Sequence, residues 1–430
     1  MALTRRAVLV AAVGVVPALL VPRTSTVLAW TLVLVLGVVV DLVLAASPRA
    51  LQPVRTVPHS VRLGEPTTST LTLTNTGRRT ARLLVRDAWV PSAGAEDNRH
   101  RVTVPAGESR RVRTTLRPTR RGDREADLVT LRCHGPLGLA GRQRSLPAPA
   151  RLRVLPAFVS RRHLPSRLAR LREMDGRAAV QVRGEGTEFD SLREYVIGDD
   201  VRAIDWRATA RRGDVVVRTW RPERDRRVFI VIDASRLSAA RLGDAPRLEA
   251  QIEAALLLAA LASRAGDRVA VVAVDSTVRA RVSGVHGPRL MSTLAEGLSQ
   301  VEASLVQASW PTVTQVVRDS LSQRALVVLL TALDTAAVMS DLLPVLGALT
   351  RDHQVVLASA ADPEAEEIRT RRRTSEEIYD AAAAERAALE RAAAAMRLRR
   401  HGVEVVEAPP DDLPPALADT YLALKAAGRL

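Results

Sequence analysis

The sequence predicts a multidomain chain: an N-terminal transmembrane helical hairpin, then a small β-sandwich of immunoglobulin-like type, then a doubly wound α/β domain. Three observations carry this. Two apolar stretches, Ala7–Pro22 and Thr26–Ala46, open the chain. Short alternating runs separated by turn residues occupy residues 49–155. Continuous apolar runs alternate with helical patterns from residue 227 to 430. The boundaries that follow are 1–48 for the hairpin, 49–155 for the sandwich, 156–226 for a connecting region and 227–430 for the α/β domain. A chain of 430 residues has ample material for several cores.

Thr26–Ala46 is apolar except for Asp41 and is long enough to span a bilayer, which needs about 20 residues. Ala7–Pro22 is shorter and contains Pro17. Arg5 and Arg6 precede the first stretch, and Arg49 and Arg55 follow the second. The positive-inside bias therefore puts both flanks in the cytoplasm. A multi-pass protein of the cell membrane with cytoplasmic soluble domains is the simplest reading. Thr4-Arg5-Arg6-Ala7-Val8-Leu9 also resembles a twin-arginine export signal, with Val27-Leu28-Ala29 as its cleavage site. The long apolar stretch that follows at once favours the hairpin. Asp41 is either a functional intramembrane acid or a residue near the cytoplasmic end that reaches the headgroups, and the second reading is favoured.

In the next region Thr68-Ser69-Thr70-Leu71-Thr72-Leu73-Thr74 alternates polar and apolar residues, Asn75-Thr76-Gly77 turns, and Ala81–Val85 begins another strand. Arg101–Val104, Pro105-Ala106-Gly107 and Arg111–Leu116 repeat the pattern. Short strands at this spacing, with no helical period, suggest the sandwich. Residues 49–121 carry fifteen arginines against five acids. Such a surface either faces anionic lipid or is a solvated, arginine-rich strand surface.

Val228–Ile232, Val269–Val274, Ala325–Leu330 and Gln354–Ala358 are the apolar runs expected of strands buried on both faces. Helical patterns over Leu248–Ala265, Leu290–Leu305 and Val338–Leu349 separate them, and Val403–Val406 and Asp412–Ala427 close the alternation. This is the pattern of a doubly wound, mostly parallel sheet. Residues 364–400 are charged and alanine-rich, and read as a long solvated helix extending the last crossover.

Composition narrows the function. The formal charge is +16 and Lys425 is the sole lysine, an arginine bias of the kind that GC-rich bacterial coding produces. Arginine spread along the chain is only an electrostatic prior for nucleic acid. Aromatic residues make up 3%, too few for a base-stacking platform, and no reading motif is present, so no specific nucleic acid is expected. The single cysteine, Cys133, excludes an intramolecular disulfide framework and cysteine-rich zinc sites. Beside His134 on a strand it points to the opposite face, so it reads as structural. The seven histidines form no metal-spaced pair.

The densest polar cluster runs from Gly184 to Arg211. It contains Phe189, Leu192, Arg193 and Tyr195, then Gly198, Asp199, Asp200, Arg202, Asp205, Trp206 and Arg211. Acids and arginines alternate at helical spacing, and Asp199-Asp200 is placed to cap a helix over 201–211. Arg193, Arg202, Arg207 and Arg211 are positioned to pair with Glu188, Glu194, Asp199 and Asp205. Such a network would clamp the segment, with Asp205, Trp206 and Arg207, onto the following domain. With no histidine or cysteine it offers no nucleophile or proton relay.

The run Phe-x-x-Leu-Arg-x-Tyr, then Gly-Asp-Asp-x-Arg-x-Ile-Asp-Trp, then Ala-Arg closely resembles the signature of the domain-of-unknown-function 58 family. Arg117–Gly122, Gly135-Pro136-Leu137-Gly138-Leu139 and Val154-Leu155-Pro156 look like its upstream elements. The resemblance implies a membrane-anchored protein whose last domain is similar to a von Willebrand factor type A domain, accompanying a MoxR-type AAA+ ATPase. It also implies a place to look for Mg²⁺. Such domains often bind it through Asp-x-Ser-x-Ser, a threonine and a later aspartate, oxygens that suit a hard octahedral cation. Here Asp233 and Ser235 match, Leu237 replaces the third ligand, Thr312 or Thr314 is the candidate threonine, and Asp334 stands two residues beyond Ala332. The site is degenerate, and weak or absent Mg²⁺ binding is expected. The resulting expectation is a non-enzymatic, membrane-anchored scaffold or adaptor. It contacts membrane lipid and engages the ATPase through the loops at the carboxyl ends of its α/β strands. A metal-dependent hydrolase and a basic nucleic-acid-binding protein are the alternatives.

Overall fold

Arg5–Val13 (α1), Val15–Leu20 (α2) and Thr24–Leu44 (α3) are the helices of the apolar N-terminus. They belong to a computed structural model that describes residues 2–181, 188–197, 199–221 and 226–430. The chain divides into two units, Met1–Ala157 and Phe158–Leu430. Among the described residues of the first, only the helix beginning at Thr24 is long and apolar enough to cross a bilayer, with a mean hydropathy of 2.7. The expected multi-pass hairpin is therefore not supported as drawn. Its first stretch breaks into helices of nine and six residues. At 1.5 Å per residue each covers roughly 14 Å or less. Gly14 stands at the break, and Pro17 lacks the N–H that would continue the ladder. Trp30 of α3 packs over Gly14, where a Cβ would lie 2.1 Å from the indole, and donates its Nε1–H to the Val10 carbonyl at 3.2 Å.

The strands that follow form two sheets. Ala2–Leu3 (β1), Ala81–Asp87 (β5), Arg99–Val104 (β7), Gly122–His134 (β9) and Ala140–Leu155 (β10) pair in the order β1-β10-β9-β5-β7, and Ser60–Arg62 (β3) also pairs with β10. Leu51–Thr56 (β2), Thr67–Asn75 (β4), Ala95–Glu96 (β6) and Ser109–Leu116 (β8) pair in the order β2-β4-β8-β6. Leu71, Leu73 and Val112 of the second sheet share one core with Leu83, Val85, Val129 and Leu131 of the first. The alternation along β4 aims every second residue inward. An ion pair also lies inside: Arg55 on β2 and Asp87 on β5 meet at 2.7 Å with both side chains fully buried.

The second unit begins with Leu164–Gln181 (α4) and the hairpin Glu188–Glu194 (β11) and Val216–Arg221 (β12). Its sheet contains Arg227–Asp233 (β13), Arg268–Val274 (β16), Val278–Val282 (β17), Leu326–Leu330 (β18), Gln354–Ala360 (β19) and Val403–Ala408 (β20). A two-residue ribbon, Arg241–Leu242 (β14) with Ala245–Pro246 (β15), lies outside it. The order is β17-β16-β13-β18-β19-β20, parallel except for β17. Val228, Ile230 and Ile232 enter one core, while Phe229 and Val231 enter the other. That two-sided burial is why these strands read as unbroken apolar runs. Arg247–Arg264 (α6), Arg289–Ser299 (α7) and Leu413–Ala426 (α13) contribute to the first core. Trp310–Ser320 (α8), residues 338–349 and the end of Ser375–Arg400 (α12) contribute to the second.

Two local expectations are corrected here. Residues 364–400 are not one helix, because Pro363–Thr370 (α11) stops before Thr374 caps α12 with a capping box. Residues 201–211 split into a short turn at 201–203 and Trp206–Arg212 (α5), because Asp205 caps a second start.

Candidate functional site

The strand order reverses between β13 and β18, and in open α/β sheets ligands sit outside the carboxyl ends of the strands at that switch point. Asp233 ends β13 there and is 3% exposed. Its Oδ1 accepts the Ser235 N–H at 2.8 Å and its Oδ2 accepts the Thr331 hydroxyl at 2.6 Å. The Ser235 hydroxyl is buried without a hydrogen-bond partner among the described residues. The other expected ligands are employed elsewhere. Thr312 shares a hydrogen bond with the Ser309 hydroxyl at 2.7 Å in the first turn of α8. Thr314 donates to the Trp310 carbonyl at 3.0 Å. Asp334 accepts the Ala337 N–H at 2.9 Å and caps Thr335–Ala337 (α9). Leu237 and Ala332 offer no side-chain oxygen.

A cation already occupies this edge. Arg247, in the first turn of α6, donates to the Leu237 carbonyl at 2.6 Å and the Ala360 carbonyl at 3.3 Å. Burial lowers its pKa, and Asp362, Asp233 and Asp334 oppose that shift. A guanidinium thus supplies positive charge to the acids that a metal would otherwise bridge. No group of three or more His, Cys, Asp or Glu side chains able to hold a metal exists among the described residues. The residues present do not fit an octahedral Mg²⁺ site.

Asp275, at the end of neighbouring β16, is fully buried and was not singled out in the sequence. It accepts the Thr277 N–H at 2.8 Å, the Ser304 hydroxyl at 2.8 Å and the Arg279 guanidinium at 2.5 Å. Burial alone would raise its pKa, but these donors outweigh it and hold it at about 2. A folded-state pKa below the unfolded value adds stability that is present above about pH 4 and lost as pH falls through the folded value. Acid titration of the unfolding midpoint between about pH 4 and pH 2 should show this loss, on the order of 2 kcal/mol. Asp275→Asn should remove that part of the slope.

The signature residues form a module of their own. Glu188↔Arg221 through Glu194↔Val216 pair β11 with β12, and Ile204 bridges to Val217 on the other side of β12. Arg193 grips Asp199 through both guanidinium nitrogens at 2.7 and 2.6 Å. That contact, then the Val196 N–H, lowers the Asp199 pKa. Asp205 accepts the Arg207 and Ala208 N–H groups and the Arg218 guanidinium, and its pKa is lowered, by Ala208 first. Asp200 accepts the Arg202 N–H at 2.9 Å. The Tyr195 N–H donates to the Val215 carbonyl at 2.8 Å, and Leu192 is half-buried. Phe189 lies in β11 opposite Trp220, but its side chain, like Gly198 and Gly184–Thr187, lies outside what is described.

Of the expected network, Arg193–Asp199 forms. Arg218, not one of the arginines named from sequence, takes Asp205. The expectation that Asp205, Trp206 and Arg207 pack onto the α/β domain is overturned. Trp206 is 67% exposed, and Arg202, Arg207 and Arg211 are exposed with it. The capping duty of Asp205 starts α5 at Trp206 and turns the ring outward. Ile197 is 97% exposed, and Val196 and Val201 are also exposed. Tyr195 and Asp205 pair with adjacent residues of the chain entering β12, from opposite sides, so Val196-Ile197 and Trp206 emerge about two strand spacings apart, roughly 10 Å. Cys133 is buried in the sandwich, and burial pushes its thiol up to about 12 against the pull of Arg142, which leaves no reactive thiolate at neutral pH.

Residues 191–404 match the family model described as "Protein of unknown function DUF58", which supports the family that the signature resembles. No curated protein matches the chain. Among solved structures, the chain is similar to a PapD-like domain of human CEP192 at 16% identity, covering 26% of this chain and 91% of that one, with a TM-score of 0.18. It is similar to a FixG-related protein from Vibrio parahaemolyticus at 9% identity, covering 24% and 96%, with a TM-score of 0.18. The CARDB domain of PF1109 from Pyrococcus furiosus is a third, at 11% identity, 27% and 92% coverage, and a TM-score of 0.18. At TM-scores this low the likenesses carry no argument about fold or function.

Proposed function

We propose that this chain is a membrane-anchored adaptor without catalytic activity, which engages a protein partner, a MoxR-type AAA+ ATPase, through its second unit. The observation that carries the reading is the exposure, in one short module, of Trp206, Ile197, Val196 and Val201 together with Arg202, Arg207 and Arg211. Interface hot spots are rich in tryptophan and arginine. The sandwich is immunoglobulin-like and the α/β unit von Willebrand factor type A-like, its switch-point charges met by Arg247. No residue set supplies an acid, a base and a nucleophile in this reading, and no cofactor is assigned.

The soluble part faces the cytoplasm, and the strand before α1 lies on the same side of the bilayer as the end of α3. The pairing of β1 with β10 supports this, because it brings the strand before α1 to the same end of the sandwich as the end of α3. Trp206→Ala tests the role of the signature. The unfolding midpoint of the full chain should stay within about 2 °C, as for most exposed substitutions. Binding of the purified ATPase should weaken by about 30-fold, the scale of a hot spot. A lower midpoint, or unchanged binding, would sink the reading.

A further inference from the structure

The end of α3 is embedded in the sandwich. Asp41 is fully buried and accepts the N–H groups of Leu137 at 2.8 Å, Gly138 at 3.3 Å, Leu139 at 2.7 Å and Ala140 at 2.8 Å. Immediately after Asp41 the last carbonyls of α3 need donors, which the helix itself cannot supply. Arg142 Nε donates to the Leu42 carbonyl at 2.9 Å, and Arg79 Nη1 donates to the Val43 carbonyl at 2.5 Å. The Arg6 side chain lies over Gly138, and Arg49 follows α3 by five residues. These four arginines come from four separate segments and all are exposed.

Among the described residues no acid pairs with them. Asp41 is the sole acid between Met1 and Gly64, and residues 76–82 and 132–144 have none. The one carboxylate at the junction is turned inward and spent on backbone N–H groups. Among the described residues Arg6 and Arg49 make no side-chain ion pair, and Arg79 and Arg142 bond only carbonyls. A helix that ends at Leu44 places its carboxyl end at the level of the lipid headgroups.

We propose that Arg6, Arg49, Arg79 and Arg142 form a binding site for the phosphate headgroup of an anionic phospholipid. The inference rests on the reading that α3 spans a bilayer, and it adds the site and the lipid class. Arginines near the surface attract anionic lipid, and guanidinium forks suit phosphate oxygens. The bound lipid completes the donor-rich collar around the helix end and fixes the sandwich against the leaflet.

The test uses the full chain. Alkaline carbonate extraction of membranes first asks whether the chain is integral; release would sink the anchoring reading and this proposal together. The purified, detergent-solubilised chain is then offered equal amounts of phosphatidylglycerol and phosphatidylcholine, and retained lipid is counted by native mass spectrometry. The expected result is at least tenfold preference for phosphatidylglycerol, lost in the double variant Arg6→Gln/Arg49→Gln. Among the described residues those two side chains make no hydrogen bond, so the variant should fold, and an unchanged unfolding midpoint checks this. Arg6→Lys/Arg49→Lys should keep most of the preference. An integral chain that retains both lipids equally overturns the proposal alone. Full displacement of phosphatidylglycerol by 10 mM inorganic phosphate also overturns it, since the site would then be a phosphate site and not a lipid site.

Discussion

Asp87→Ala should destabilise the N-terminal unit by about 3–5 kcal/mol, the cost of breaking a buried ion pair by removing one partner. The magnitude follows from what Asp87 does. It accepts Arg55 through Nε at 2.9 Å and Nη2 at 2.7 Å, the Ser69 hydroxyl at 3.1 Å and the Trp89 indole N–H at 3.3 Å. Arg55 in turn donates to the carbonyls of Ala126, Leu128 and Ala148 and lies over the Trp89 ring. Without Asp87 the guanidinium keeps its carbonyls and loses the one counter-charge it has among the described residues, in a buried site. A surface pair would cost less than 1 kcal/mol. Urea denaturation of the full chain in detergent measures the difference. The double variant Arg55→Met/Asp87→Leu should recover most of the loss, because replacing both partners leaves no uncompensated charge. A single-variant loss under 1 kcal/mol would contradict the network.

The second large effect is expected at Asp41. Asp41→Leu leaves the N–H groups of Leu137, Leu139 and Ala140, where the β9–β10 loop enters β10, without their acceptor, while Gly138 keeps a bond to the Gly135 carbonyl at 3.2 Å. Each buried donor left unmade costs roughly 1–3 kcal/mol, so the loop should leave α3 rather than stay and bear it. Limited proteolysis should then cut near Leu137, where the wild type resists. Asp41→Asn keeps one acceptor oxygen and should fall between. Gly135 checks the same packing from the other side. A Cβ there would lie 2.1 Å from Asp41 Oδ1, so Gly135→Ala should open the same cleavage site. Gly138 has φ +70°, which a side chain resists. Resistance to protease in both Asp41→Leu and Gly135→Ala would refute the latch.

These contacts show why the sequence was legible in some places and opaque in others. Strands β13, β16, β18 and β19 were visible because burial on two faces leaves an almost unbroken apolar run. Edge strand β17 was not, since Val278-Arg279-Ala280-Arg281-Val282 carries arginines that only an edge tolerates. The acid–arginine alternation of 188–211 suggested helix, yet Arg193–Asp199 closes a loop off a hairpin. Its partner strand β12 lies beyond the recognised pattern, which hid Arg218. Asp233 and Ser235 fell where the strand pattern put them, at the carboxyl end of β13. Arg247 was hidden because nothing local distinguishes it from the other arginines of the chain. Asp41 looked like a headgroup contact, since its acceptor role depends on residues 96 to 99 positions away.

The central claim is that the chain is an adaptor for a nucleotide-driven partner. The most direct measurement is binding of a purified MoxR-type ATPase, encoded in the same genome, to the full wild-type chain in detergent. It is read by surface plasmon resonance with and without a non-hydrolysable ATP analogue. The account predicts a saturable complex whose affinity changes at least tenfold with the nucleotide. Absence of any complex in either nucleotide state, at concentrations up to about 100 μM, would contradict it.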